Sequence, residues 1–515
     1  MSIDIETYRL KAQEAIEYVF VKEYHNSLGI PMPIVKMLLP DDANYSTGQY
    51  YITIDKTWQI HLNFGKLPIS YHEFQNEVKV LTRHEIEHYM CCPFDVITHF
   101  RMLKRIRDVY YKHFSHLGIN IEYACGAISN QAADIIVDTK NYYRHSKETL
   151  KSEIDWIKIG ANISACPRHC KLMFLTKEAI WKEDLGINET DPEFLKIVHQ
   201  LADSFTKNGI EDKSSFLDKV EEYAEIFFKL YVEDQKNPQQ SSQQGSQQQN
   251  GQQGSQQQSG QWGVGRPKDG DEHGNAFVFA DPDKVKEAIE VLAEETSVEE
   301  FIDLLAIAGI IGMSDKQKGV LWFNVQSANI IPIVEFSNTG NKSSYTYPSV
   351  WRIGDPIEEL DLMLTYMTSP RLIPGMTTKK WGYVSNDDNG TESKQMDLLL
   401  VVDTSGSMGS AMKESANMHQ AVLASYGILS YFESTKSKVA FIGFSDKIDA
   451  YVDWSDKYDD VRERLLTNGH GGTKFPISRI KSTLDVRSRD LVTVLITNGD
   501  SVSYTHLTLP TKLEV

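Results

Sequence analysis

Two stretches of this chain carry residue types whose spacing suits chemistry at a metal ion. The first is His84-Glu85-Ile86-Glu87-His88, the pattern H-E-x-x-H. On a helix, histidines four apart share a face, so both imidazoles can reach one Zn²⁺. Glu85 lies beside them, where a carboxylate can take a proton from an attacking water. Further on, Asn130-Gln-Ala-Ala-Asp134-Ile-Ile-Val-Asp138 places two carboxylates four apart on a second helix. We assign Asp134 as third zinc ligand and Asp138 as hydrogen-bond partner of a ligand histidine. Glu122 and His99 are rival third ligands. Cys166-Pro-Arg-His-Cys170 invites a further zinc site, with Cys91 and Cys92. Its spacing is not that of a standard finger pair, and the simpler reading is structural thiols packed as small hydrophobes.

The second stretch is Asp403-Thr-Ser405-Gly-Ser407, which follows directly on the apolar run Leu398 to Val402. An unbroken apolar run of that length marks a strand buried on both faces of a parallel sheet. The polar residues then fall at its carboxyl end, where open α/β sheets bind ligands. One carboxylate and two hydroxyls suit hard Mg²⁺ or Mn²⁺ better than zinc.

The elements that must position these groups can be read from periodicity. Residues 1–235 form the first block, opening with a helical pattern from Ile5 to Tyr24. Tyr50 to Asp55 and Gln59 to Phe64 alternate apolar and polar residues about Lys56-Thr-Trp58, the mark of a β-hairpin. Helical patterns follow, including Asn76 to Met90 around the histidines. From 236 to 275 the composition shifts to Gln, Ser and Gly, a flexible linker between domains or a loop inserted in one. Residues 276–390 read as a helical and connector region. Asp281-Pro282 starts one helix, and the capping box Ser297-Val-Glu-Glu300 starts another reaching about Ile311. Residues 391–501 have α/β rhythm: strand 398–402, helix 411–432, strand 438–444, helix 457–466 and strand 491–497.

Bulk composition narrows the function classes. At 515 residues the chain exceeds what one hydrophobic core usually spans, and 41% hydrophobic residues suffice for several. A formal net charge of −18 repels phosphate backbones, so we expect no nucleic-acid partner. The best basic stretch, Arg101 to Arg107, is short and interrupted by Met102, Leu103 and Ile106. The start is polar and acidic, with no apolar signal core. The longest apolar stretch, Phe301 to Met313, is too short to span a bilayer and contains Asp303, so no membrane role is expected. Five cysteines in irregular positions are no disulfide framework, and the expected setting is a reducing cytoplasm.

With these residues in view, two resemblances stand out. The segment with Asp403, Ser405 and Ser407 resembles the metal-ion-dependent adhesion site (MIDAS) of a von Willebrand factor A (VWA) domain. The resemblance implies a fourth contributor from a Gly-rich loop, supplied by Gly471-Gly-Thr473. It also implies a Thr-Asp-Gly after the fourth strand, where this chain has Thr497-Asn498-Gly499. Asn498 can offer an amide oxygen to Mg²⁺ but no charge, so affinity should fall. The first block, most clearly over residues 75–140, resembles the metallopeptidase domain of bacterial VWA-like proteins, where H-E-x-x-H precedes an Ala-Ala-Asp segment. The metzincin continuation fails, since its third histidine would fall at Phe94. Those VWA-like proteins are associated with MoxR-type AAA ATPases, which implies such an ATPase as partner.

The expectation is a multidomain chain. A mainly α (α+β), zincin-like domain precedes an α/β, Rossmann-like VWA domain that is C-terminally truncated. The last residues, 502–515, resemble translated sequencing-adapter read-through, so a non-native tail is expected in place of the family's closing elements. The expected activity is zinc-dependent peptide hydrolysis, with zinc on His84, His88 and Asp134 and with Glu85 as general base. The VWA site would bind Mg²⁺ or Mn²⁺ and dock a protein partner. The rival from another class is a non-catalytic adaptor that recruits clients to an AAA ATPase, with zinc structural or absent.

Overall fold

A computed structural model describes residues 5–39, 50–54, 59–64, 70–159, 166–236, 282–310, 313–330, 343–352, 373–385, 396–467, 469–486 and 491–499, with isolated positions at 163 and between 354 and 365. The chain divides into two compact units, Met1–Trp322 and Phe323–Val515. It is mostly helical with small sheets. Among the described residues no helix is long and apolar enough to cross a membrane.

The first unit opens with α1 (Ile5–Glu17), which loosens into one π-helical segment, Tyr18–Glu23, before the chain turns. Strands β1 (Ile34–Met37), β2 (Tyr50–Ile54) and β3 (Gln59–Phe64) form a sheet in the order β1-β3-β2. The expected hairpin is present, with Tyr50 opposite Phe64 and Ile54 opposite Ile60; its turn lies outside the described residues. Helix α2 (Tyr71–Met90) carries the histidines and starts at a capping box. Glu73 N donates to Ser70 Oγ at 3.3 Å, and Ser70 N donates to the Glu73 carboxylate at 3.2 Å. Ile86 lies two residues from each histidine, about 160° around the helix from both. It joins Phe74, Val78, Ile16, Val19, Ile60 and Leu62 in the core shared with α1 and the sheet. The hydrophobic face of α2 therefore sets its rotation, and the histidines are left facing α4.

Helix α3 (Val96–Val109) leads to α4 (Ile121–Ile159), which breaks at His145, where φ is −134° and ψ is 48°. Helices α5 (Arg168–Trp181), α6 (Pro192–Thr206) and α7 (Phe216–Lys236) complete this bundle. Helices α8 (Pro282–Glu295) and α9 (Val298–Ile307) belong to the same unit, and α7 and α8 both pack against α3. The Gln-rich stretch, itself outside the described residues, thus connects two helices of one unit. The arginines of the short basic stretch are paired inside this unit: Arg101 with Glu295, Arg105 with Glu221, and Arg107 with Asp303 and Glu300. Helix α9 stops earlier than its apolar pattern suggests. Gly309 takes φ +75°, and the bonds Ile310 N to Leu305 O and Gly309 N to Ala306 O close a Schellman turn. Helix α10 (Asp315–Ile330) lies within the stretch read as a helical and connector region.

In the second unit, β4 (Ser343–Val350) and β5 (Lys379–Ser385) pair as an antiparallel ribbon. The main sheet has the order β8-β7-β6-β9. Strand β6 (Asp397–Asp403) is buried along its whole length between parallel neighbours β7 (Val439–Phe444) and β9 (Leu491–Ile496). Strand β8 (Ile448–Ser455) adds antiparallel to β7. The helices are α11 (Asn417–Ser434), α12 (Tyr458–Leu465) and α13 (Ile477–Leu484). Helix α11 starts six residues later than the sequence pattern suggests. Residues 411–416 are spent on a turn that buried His419 holds by donating from Nδ1 to Ala411 O at 2.8 Å. Strand β8 alternates apolar and polar residues, and helix α13 sets Ile477, Ile480 and Leu484 on one face, weaker marks than an unbroken apolar run. Residues 502–515, the expected non-native tail, lie outside the described residues.

Candidate metal centre

Two backbone decisions bring the first set of ligands together. Helix α2 is rotated by its hydrophobic face, and α4 lies against it with Asp134 and Asp138 one turn apart. His84 Nε2 and His88 Nε2 stand 3.1 Å apart, and Asp134 Oδ1 lies 3.4 Å and 3.3 Å from them. All three residues are buried. Among the described residues, this is the group of histidine, cysteine and carboxylate side chains whose three ligand atoms lie within 4.8 Å of one another.

The outer ring nitrogens fix what the inner ones present. His88 Nδ1 is 2.8 Å from the Cys92 carbonyl, which only accepts, so this nitrogen carries the proton. His84 Nδ1 lies 2.6 Å from Asp138 Oδ1 and donates to that carboxylate. Both Nε2 atoms are then lone-pair donors to a metal, aimed with the Asp134 oxygen at one point. Three electron-rich atoms this close repel one another unless a proton or a metal ion sits among them, and two imidazoles with a carboxylate form a donor set that fits a metal ion, which would displace that proton. The field agrees. Burial disfavours a charge on His84, yet Asp138 and Asp134 outweigh it and raise its pKa to about 10. Asn130 Nδ2 donates to the far oxygen of Asp134 at 3.1 Å, which orients that carboxylate.

A line of charges continues behind Asp138. Lys177, buried on α5, donates to Asp138 Oδ2 at 2.6 Å and to Glu153 Oε1 at 2.8 Å. Burial alone would push the Asp138 carboxyl up, but Lys177 and His84 bring it well below the usual range. The Lys177 ammonium is likewise held above its ordinary value by Asp138 and Glu153 against its burial. Burial raises Glu153.

The two glutamates of the motif have different surroundings. Glu87 is fully buried, forms an ion pair with Lys140 at 2.8 Å, and accepts from Arg144 at 2.9 Å and the Tyr24 hydroxyl at 3.0 Å. It is a structural hub between α2 and α4. Glu85 lies on the other side of the histidine ridge, about 60° around the helix from His88, and is buried. The rival ligands fall elsewhere: Glu122 is exposed at the start of α4, and His99 is buried on α3, outside the cluster. Cys91, Cys92, Cys125 and Cys170 are buried free thiols whose pKa values burial raises, Cys91 to about 11. His169, between the last pair of cysteines, is turned to Asp234 at 2.8 Å.

The second candidate site lies on the loop after β6. Asp403 and Ser405 are buried, whereas Ser407 is exposed. Asp403 Oδ1 accepts from Ser405 N at 2.9 Å, and Asp403 Oδ2 accepts from Thr497 Oγ1 at 2.8 Å. Ser405 Oγ and Ser407 Oγ are 3.2 Å apart, and Asn498 Nδ2 donates to Ser407 Oγ at 2.9 Å. Gly406 N donates to Gly471 O at 3.1 Å, which ties the loop carrying Thr473 to this one. Gly471 has φ +112°, a conformation that favours glycine, and a Cβ there would stand 3.1 Å from the Asp446 carboxyl, which would have to give way by a few tenths of an ångström. Thr404 donates to Asp449 at 2.7 Å. The sequence reading missed these two aspartates, because they sit beyond β7 with no motif spacing to Asp403. It also missed Lys177 and Glu153. A lysine two residues after the apolar run Leu172-Met-Phe-Leu175, on a helix with apolar residues on both sides of it in sequence, was the available signal.

Comparison with protein-family models, with curated proteins and with solved structures returned no match.

Proposed function

We propose that this chain is a zinc-dependent metallopeptidase whose second unit contains, over residues 391–501, a MIDAS-type VWA domain for docking a protein partner, a MoxR-type AAA ATPase. The observation that carries the first half is the convergence of His84 Nε2, His88 Nε2 and Asp134 Oδ1 within 4.8 Å, beside a glutamate at H-E-x-x-H spacing. Two imidazoles and one carboxylate are the ligand types of catalytic zinc, which keeps a further coordination position open. When bound, zinc would supply Lewis acidity toward a peptide carbonyl. Glu85 would take the proton of the attacking water and pass it to the leaving amine. Asp138 and the Cys92 carbonyl hold the two imidazoles in the productive tautomer.

The second half rests on chemistry of another kind. Asp403, Ser405 and Ser407, with Thr473 and Asn498 from neighbouring loops, offer only oxygen ligands, which favour Mg²⁺ or Mn²⁺ over zinc. With Asn498 where a second carboxylate would sit, a partner's Asp or Glu would complete the charge.

One observation favours the adaptor reading: Glu85 is 5% exposed and His84 4%, little access for a substrate. The test is Glu85→Gln, assayed on an unfolded protein substrate with and without the ATPase. As an enzyme, the protein loses on the order of 10²-fold or more in rate while zinc content and melting temperature stay. If the wild type cleaves nothing under either condition, the adaptor reading replaces this one.

A further inference from the structure

We propose that Lys177 is a positioning residue of the metal centre, orienting His84 through Asp138 and holding together the two halves of the broken helix α4. The inference rests on the reading of His84, His88 and Asp134 as a metal centre. Its basis is a continuous chain of contacts: Glu153 to Lys177 at 2.8 Å, Lys177 to Asp138 at 2.6 Å, and Asp138 to His84 Nδ1 at 2.6 Å. Asp138 uses one oxygen for the imidazole and the other for the ammonium. A carboxylate gripped at both ends cannot rotate, so the His84 ring plane is set by the position of the Lys177 ammonium. Asp138 precedes the break at His145 and Glu153 follows it. One buried ammonium therefore holds carboxylates from both sides of that break, and the course of α4 and the aim of its ligand face become one interaction.

Stability alone does not account for this arrangement. Taking three charged groups out of water is costly, and well-packed hydrophobic side chains often replace such a bridge without loss. Nor is Lys177 needed to attach α5. Trp181 donates to Thr139 Oγ1 at 3.0 Å and stacks on Tyr142 with ring centroids 4.7 Å apart. What the bridge adds is orientation of a ligand-supporting carboxylate, and losing such support typically costs 10–100-fold in metal affinity.

The experiment uses the full chain, stripped of metal with a chelator and dialysed, then titrated with Zn²⁺ against a chromophoric competitor. Co²⁺ absorption spectra report ligand geometry in parallel. Lys177→Met should weaken Zn²⁺ binding by on the order of 10–100-fold and alter the Co²⁺ spectrum. Lys177→Met leaves two buried carboxylates without their cation and can fail to fold. The double variant Lys177→Met/Glu153→Gln keeps the net charge of the three groups unchanged while removing the bridge, and it should show the same loss. Wild-type affinity and an unchanged Co²⁺ spectrum in the folded variants would overturn the proposal, whatever happens to melting temperature. A wild type that binds neither ion overturns the metal-centre reading itself, and this inference with it.

Discussion

The two candidate ion sites of this chain are built on opposite plans. In the first unit, the ligand atoms belong to two long helices, and each ligand is held from behind by a named partner: His84 by Asp138, His88 by the Cys92 carbonyl, Asp134 by Asn130. In the second unit, the candidate ligands lie at the end of a buried strand and on the loops beyond it; Thr497 supports Asp403, but Ser405 and Asn498 both bond to Ser407, another candidate ligand. A site supported from behind by groups that are not ligands keeps its geometry whether or not its ion is present. A site whose candidate ligands hold each other must exchange those bonds for the ion. The first plan suits tight retention and chemistry at a fixed point. The second suits reversible binding, in which a partner's carboxylate makes the difference.

This contrast can be broken at several points. The largest effect should come from metal removal. Dialysis against a zinc chelator should abolish peptide hydrolysis, and one equivalent of Zn²⁺ should restore it, with Mg²⁺ unable to substitute. Restoration by Mg²⁺ would erase the distinction between the sites.

A smaller effect is expected in the second unit. Asp403→Ala should remove the Mg²⁺ dependence of partner binding. Asn498→Asp should raise Mg²⁺ affinity in the full chain and reduce the factor by which ion and partner tighten each other, since the coupling is reciprocal. Calorimetry with Mg²⁺ alone, then with partner, reads both. Partner binding that is unchanged in Asp403→Ala would remove this loop as the docking surface.

The smallest effect is a stability one. Ser70→Ala deletes the capping box at the start of α2 and should cost about 1 kcal/mol in denaturant unfolding. Zinc affinity should not change, because Ile86 and the core around it, not the cap, set the rotation of the histidines. Loss of metal in Ser70→Ala would show that the position of α2 depends on its first turn.

How much of this could be read from residues alone depended on sequence distance. His84 and His88 share one helix face by spacing, and Asp134 and Asp138 share another, so each pair was legible. That the two faces meet is a tertiary fact, suggested only by the chemistry of the groups. Glu153 and Lys177 lie further along the chain, both beyond the helix break at His145, and nothing local ties them to Asp138. Strand β6 was legible because burial on both faces leaves an unbroken apolar run. Strand β8 offered a different signal, the period-two alternation of Ile448, Ala450, Val452 and Trp454 with Asp449, Tyr451, Asp453 and Ser455, which an eye set on unbroken apolar runs passes over. The Gln-rich stretch left two readings open in the sequence, a linker between domains or a loop inserted in one. A Gln-rich stretch looks like a domain linker in composition, yet the helices on both sides of it pack on α3.

The central claim is that His84, His88 and Asp134 hold one metal ion, and its most direct test is elemental analysis of the purified full chain. After desalting, the wild type should retain about one equivalent of zinc, and His88→Ala, left with two ligands, should lose most of it. Full zinc occupancy in a folded His88→Ala protein, or none in the wild type after zinc is supplied, would contradict the account.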